Sequence, residues 1–271
     1  MKLDLSKIAF IFISTLLLSC GGGDDDSFPE ENNPDTPIAT SKFTKKVLIE
    51  DFTGTWCGWC PRVSFGIEKV EEQTDQTVTV AIHRGSTDPY HFGESNIGSL
   101  DEGSYPTAKL NRNILWNYPE PENVTQIIHL TNQVAQLGLS INSTLSGNTL
   151  TIDVNTTFET NLSETKQVVY LVEDNLNYDQ TNYTEYYNGV STISNFEHDN
   201  VLRKVLTNIF GDAIPSSESK KDNEYLANYD LTIPSQVTNV NNLKIVAFVV
   251  DHSGTVLNVQ SARINQFKDY D

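Results

Sequence analysis

Two cysteines separated by two residues, in Trp56-Cys57-Gly58-Trp59-Cys60-Pro61, constrain this chain more than any other feature. They follow a short apolar run, Val47 to Phe52, and precede Val63, Ile67 and Val70, which recur at helical spacing. A Cys-x-x-Cys pair between a strand and a helix holds its first sulfur near the helix N-terminus. Unpaired N–H groups and the helix dipole there favour a thiolate, the species that attacks disulfides. The pattern predicts a redox pair with Cys57 as nucleophile and Cys60 as the resolving thiol. A structural disulfide is the competing reading. Zinc would want four ligands, and the chain has no second Cys-x-x-Cys and no His-x3-His pair. Haem attachment needs a histidine directly after the second cysteine, where Pro61 stands. No metal and no other cofactor is expected.

Asp51 lies six residues before Cys57, flanked by Val47, Leu48, Ile49 and Phe52. Those neighbours predict a buried carboxyl, whose pKa desolvation raises towards the working range of a general base. Glu50 takes that place if the strand register differs. Together with Trp56 before the first cysteine and Tyr105-Pro106-Thr107 downstream, these residues resemble thioredoxin-fold proteins. The resemblance implies that Asp51 accepts the proton of the second cysteine. It also implies that Pro106 is cis and packs against the disulfide. Trp56, Trp59 and Tyr105 are then expected to line a groove for a peptide substrate.

The first residues point to a compartment. Lys2 and Lys7 precede an apolar run, Ile8 to Leu18, shorter than the roughly 20 residues of a membrane span. It fits a signal peptide over residues 1–19. Leu17-Leu18-Ser19-Cys20 resembles a bacterial lipobox, which implies lipid on Cys20. An ordinary cleaved signal peptide is the alternative. Gly21-Gly22-Gly23-Asp24-Asp25-Asp26 resembles the surface-export signal of Bacteroidetes lipoproteins, although a solvated tether explains the same run. The expected location is the outer membrane, lipid-anchored and exposed at the cell surface. With Cys20 acylated, only Cys57 and Cys60 remain of the three cysteines, so there is no disulfide framework despite an oxidising compartment.

Formal charge is −18 over 271 residues. Such a surface repels nucleic acid, so no nucleic-acid partner is expected, and the membrane is reached through the lipid alone. Residues 20–44 are rich in Asp, Gly, Pro, Asn and Thr and read as a flexible tether. Residues 45–137 alternate strand and helix: strands at Val47–Phe52, Val78–Ile82 and Thr107–Leu110, helices from Pro61 to about Thr74 and from Glu122 to about Leu137, the latter closed by Gly138 as a C-cap. From residue 138 to 271 the runs are β-like: Leu139–Ile141, Leu150–Val154, Gln167–Val172, Leu243–Val250 and Val256–Ile264, with turns at Gly147-Asn148 and Ser253-Gly254. Val201–Phe210 reads as strand rather than helix. The expected architecture is an α/β thioredoxin-like domain with a mostly parallel sheet, followed by a separate C-terminal antiparallel β-sandwich domain.

The stretch Glu50 to Arg62, with Ser104-Tyr105-Pro106-Thr107, His198-Asp199-Asn200-Val201-Leu202-Arg203 and Phe210-Gly211-Asp212, resembles the Omp28-related outer membrane lipoproteins of Bacteroidetes. The family implies a thioredoxin-like domain joined to a β-rich one, and its names invoke adhesin or receptor activity. Other patterns are weak. His83 is expected to be structural rather than to line a substrate groove, and His198 with Arg203 to be a structural cluster rather than a functional patch. Tyr90-His91-Phe92 reads as a packed connection, and Tyr183, Tyr186 and Tyr187 as a loop packed on the sandwich rather than a glycan or peptide site. The chain thus reads as an anchored thiol–disulfide oxidoreductase acting on protein thiols or disulfides of the envelope or exterior. The alternative is a non-catalytic surface protein whose β-sandwich binds a host or glycan ligand.

Overall fold

A computed structural model describes residues 41–271. The signal peptide, Cys20 and the tether up to residue 40 lie outside the described residues. Strand Val47–Thr53 (β1) is followed by helix Pro61–Glu71 (α1) and strand Thr77–His83 (β2), then short strands Thr107–Leu110 (β3) and Ile114–Leu115 (β4) and helix Val124–Thr131 (α2). Ten more strands complete the chain: Leu137–Ser146 (β5), Thr149–Phe158 (β6), Lys166–Glu173 (β7), Leu176–Thr181 (β8), Thr192–His198 (β9), Val201–Val205 (β10), Asp212–Ala213 (β11), Glu224–Thr232 (β12), Leu243–Val250 (β13) and Val256–Arg263 (β14).

The strand periods expected from the sequence are largely present; the architecture expected from them is not. The described residues are 41% strand against 14% helix. Strands from both ends of the chain join one nine-stranded sheet in the order β14-β13-β7-β10-β2-β1-β3-β4, with β11 beside β7. Only β1–β2 and β2–β10 pair in parallel; the other pairs are antiparallel. This corrects the α/β thioredoxin-like domain with its mostly parallel sheet, and the separate sandwich after residue 137. Parallel neighbours need a long crossover connection, usually a helix, and only β1–α1–β2 joins consecutive strands in that way. Beyond β2 the next neighbour is β10, more than a hundred residues later, so the sheet runs across the expected boundary.

Alternation along the strands divides the side chains between the two faces of this sheet. One face carries a continuous core of Leu48 and Phe52 on β1, Val80 and Ile82 on β2, and Tyr170 and Phe248 on β7 and β13. On the opposite face, α1 and α2 cover Val47, Ile49, Ala108 and Leu110 at one end. At the other end a three-stranded sheet, β12-β6-β5, packs its Ile141, Ile152 and Val154 on Leu171, Ile245 and Ala247.

Three local expectations also change. The second helix ends at Thr131, and Leu137 opens β5. Gly138 is therefore a strand residue and not a cap; a Cβ there would meet the Phe43 ring at 2.5 Å. Residues 41–44 are part of the body and not of a tether, since Thr44 N donates to the Asp271 carbonyl at 2.8 Å. The predicted strand from Val201 stops at Val205, and Phe210 is exposed.

Candidate functional site: a disulfide at a helix N-terminus

The chain leaves β1 at Thr53, turns through Gly54–Trp59 and enters α1 with Cys60 as the N-cap residue. Cys57 N donates to the Gly54 carbonyl at 3.0 Å and Cys60 N to the Cys57 carbonyl at 3.2 Å, which fixes the loop. Pro61 is tolerated at the first helical position because no N–H is needed there. Cys57 and Cys60 form a disulfide, and both are buried, at 4% and 1% exposure. Both cysteines are thus nearly closed to solvent.

Asp88 pins this loop from below. It accepts from Thr55 N at 2.6 Å and Thr55 Oγ1 at 3.0 Å, and it lies 3.2 Å from Nδ1 of His83. His83 is thus a buried structural partner, as its sequence context suggested. Asp88 belongs to no recognisable motif, and no local pattern singles it out.

Two of the aromatic residues named from sequence, Trp56 and Trp59, belong to the cysteine loop itself. Trp56 and Trp59 are exposed, and Tyr105 is half-buried with its ring edge on Trp56 at 5.5 Å between centroids. Trp56 Nε1 donates to the Arg84 carbonyl at 2.7 Å, Arg84 Nε to Asp101 at 2.8 Å, and Tyr105 OH to the same carboxylate at 2.5 Å. The Tyr105–Pro106 bond is cis, and so is Tyr118–Pro119. Trp59, Arg62, Tyr105, Pro106 and Tyr118 line one open groove, with the Arg62 guanidinium 4.7 Å from the centre of the Tyr118 ring.

Strand register separates the two candidate acids. Glu50 points to the face away from α1, where it accepts from Tyr170 OH at 3.2 Å and lies 3.5 Å from Arg112 Nε. Asp51 points to the α1 face, buried at 3% exposure, and its Oδ1 has no hydrogen-bond partner among the described residues. Burial pushes the Asp51 carboxyl up to about 8; Glu120 adds to the rise, and Arg62, paired with Glu120 at 2.5 Å, works against it. Glu120 is a further charged neighbour of Asp51, and it has no sequence signal.

The hairpin of β8 and β9 lies over the cysteine loop. Thr181 N donates to the Thr55 carbonyl at 2.9 Å and Tyr183 N to the Gly58 carbonyl at 2.7 Å. Gln180 Nε2 reaches the Cys57 carbonyl at 3.0 Å. A Cβ on Gly58 would fall 2.3 Å from the Tyr183 ring, so only glycine admits this approach. Tyr186 stacks on Phe65 of α1 at 4.5 Å, and Tyr187 OH donates to Glu68 at 2.7 Å. Tyr186 and Tyr187 therefore pack on α1 and Tyr183 on the cysteine loop, not on a sandwich. Tyr90 is half-buried, His91 exposed and Phe92 buried, as in a packed connection. Arg203 pairs with the buried Glu173 at 2.7 Å, which makes it structural. Among the described residues no group of three His, Cys, Asp or Glu is placed to hold a metal ion.

A family model described as outer membrane protein Omp28 matches residues 97–268. That segment includes Tyr105, Pro106 and His198; Asp51 and the two cysteines precede it. No curated protein matches the chain. Among solved structures the chain is similar to HBP35 of Porphyromonas gingivalis, with a TM-score of 0.65 and 16% identity over 84% of this chain and 77% of that one. A domain of the outer membrane lipoprotein Omp28 from the same organism aligns over 48% of this chain and 97% of its own length, at 20% identity and a TM-score of 0.31.

Proposed function

The chain belongs to the Omp28 outer membrane protein family, and from that premise we propose that it is a lipid-anchored envelope thiol–disulfide oxidoreductase. One observation carries the reading: a disulfide at the mouth of α1 sits beside an aromatic groove, with a buried, unpartnered carboxyl on the neighbouring strand. In the reduced protein the α1 N-terminus favours the Cys57 thiolate. That thiolate attacks a substrate disulfide, forming Cys57–S–S–R and releasing the other substrate sulfur as thiolate. Cys60 then passes its proton to Asp51, attacks Cys57 Sγ and releases R–S⁻, closing the Cys57–Cys60 disulfide. Two electrons move from the protein pair to the substrate; the reverse sequence oxidises a substrate dithiol. Trp56, Trp59, Tyr105 and Pro106 form the wall against which an extended peptide lies.

The anchor is the lipid on Cys20, with display at the cell surface supported by the acidic run behind it. Cys20→Ala is expected to abolish acyl labelling and to move the protein into the aqueous phase of a detergent partition. The low exposure of Cys57, and the position of both cysteines ahead of the matched segment, favour the alternative of a non-catalytic surface protein. A redox titration of the mature protein against glutathione and dithiothreitol buffers decides between them. Catalytic pairs lie at roughly −270 to −120 mV, and structural disulfides below about −300 mV. A potential in the catalytic range, with Cys60→Ala trapping mixed disulfides through Cys57, is the expected result. A lower potential with no trapped species leaves a stabilising disulfide in a binding protein.

A further inference from the structure

Between α1, strands β1 and β2 and the β8–β9 hairpin lies a crevice of about 130 Å³. Three residues that line it each hold a buried side-chain atom with no hydrogen-bond partner among the described residues: Asp51 at Oδ1, Thr79 at Oγ1 and His198 at Nε2. These residues are 3%, 7% and 6% exposed. Leaving a buried polar group unpaired is costly, and of the six such side-chain atoms among the described residues these three belong to residues around one space. Three around one space of this size mark a polar, roomy site of the kind that ordered water occupies, since a cavity needs only about 10–15 Å³ per water by the same measure.

The chemistry of each atom is defined. His198 lines the crevice, and its Nε2 is buried without a hydrogen-bond partner among the described residues. Burial, with His83 beside it, holds that imidazole down to about 4, so it is neutral. The crevice opens towards exposed carboxylates: Glu68 and Glu71 on α1, Glu197 on β9 and Asp199 after it. It shares Glu71, Thr79, Asp199 and Asn200 with an adjoining surface depression.

We propose that this crevice is a hydrated proton route, in which Thr79 and His198 order a water chain between Asp51 and solvent at the acidic mouth. The route serves the exchange reaction proposed above, and it rests on that reading for its purpose. A carboxyl that takes the Cys60 proton under α1 must discharge it before the next cycle, and the side facing the disulfide offers no exit once substrate is bound. Asp51 gives its proton to a crevice water, a proton leaves at the mouth, and the carboxylate is restored. His198 is a positioning residue here, because it touches neither cysteine. The charged groups facing Asp51 from its other side are Arg62 and Glu120, and those facing His198 are His83 and Asp88.

The test reads Asp51 directly, in the oxidised protein, by carbon-13 NMR of the labelled carboxyl against pH. Thr79→Val and His198→Phe remove polar partners of the water chain at near-constant volume and are expected to raise the Asp51 midpoint by about one pH unit. His198→Gln keeps an acceptor and is expected to leave it in place. An unchanged midpoint in both Thr79→Val and His198→Phe overturns the route. The wild-type protein gives a second reading that needs no variant: the protonated Asp51 carbonyl band in the infrared is expected to shift within seconds of transfer into D2O. A band that persists for many minutes also overturns the proposal. Should the carboxyl behave as expected while no mixed disulfide is ever resolved, the route stands and the oxidoreductase reading falls. Normal turnover with an Asp51 isolated from solvent upholds the oxidoreductase and overturns the route.

Discussion

Glu50 and Asp51 are sequence neighbours that lie on opposite faces of β1, and each is buried in a different way. Glu50 Oε1 has charge and hydroxyl partners, Arg112 and Tyr170, while its Oε2 has no hydrogen-bond partner among the described residues. Asp51 has no such partner for Oδ1 and answers by holding its proton. Its pKa rises from 3.8 to about 8 in the folded chain. Between those values the native state binds more protons than the unfolded state, so the Asp51 contribution to stability is present in acid and is lost as pH rises through that window. Asp51→Asn removes the titration. We expect urea unfolding to show the variant more stable than the wild type by about 2–4 kcal/mol at pH 8, with the difference shrinking towards zero at pH 4. The flanking apolar residues made this burial readable from sequence. The partner that settles Glu50 was not readable, because Arg112 comes from a loop beyond β3 and no local pattern ties it to β1.

At the scale of elements, the hairpin of β8 and β9 matters most to the site and was the least visible in the sequence. Its residues, Asn177-Tyr178-Asp179-Gln180-Thr181 and Thr192 to Glu197, are polar and aromatic without a clean alternation, so no period announces two strands. The strand β12, where Tyr225, Tyr229 and Leu231 are partly buried, was not expected from the sequence either. By contrast β13 occupies Leu243–Val250 as its apolar run predicts. A run of this kind gives the period of a strand and says nothing of its neighbour, which is why the strands were legible and the sheet was not. The hairpin carries its own prediction. Tyr183 rests on Gly58 and Trp59, a contact worth about 0.5–1.5 kcal/mol for an aromatic pair. Tyr183→Ala is therefore expected to speed reduction of the Cys57–Cys60 disulfide by a bulky water-soluble phosphine about two- to tenfold. Quenched alkylation and mass measurement follow the reaction, and an unchanged rate places the barrier elsewhere.

At the scale of the molecule, residues 45–137 do not own a complete sheet. β2 takes its second neighbour from β10, and the core around Leu48, Phe52, Tyr170 and Phe248 is shared by strands from both ends of the chain. A fragment ending at residue 137 would expose that face and leave Tyr170 and Phe248 behind. We expect such a fragment to lack near-ultraviolet circular dichroism. The chain from residue 41 onwards is expected to unfold in one calorimetric transition, and two separated transitions would show independent units. The register adds a consequence for biosynthesis. Val201 pairs with Ala81, 120 residues earlier. During export the segment bearing the cysteines emerges long before the strand that completes its sheet, and meanwhile presents the open edge of β2, an apolar strand of the kind that templates aggregation. The time between those two arrivals is when this protein most needs a chaperone, and when its cysteines are most open to the wrong partner.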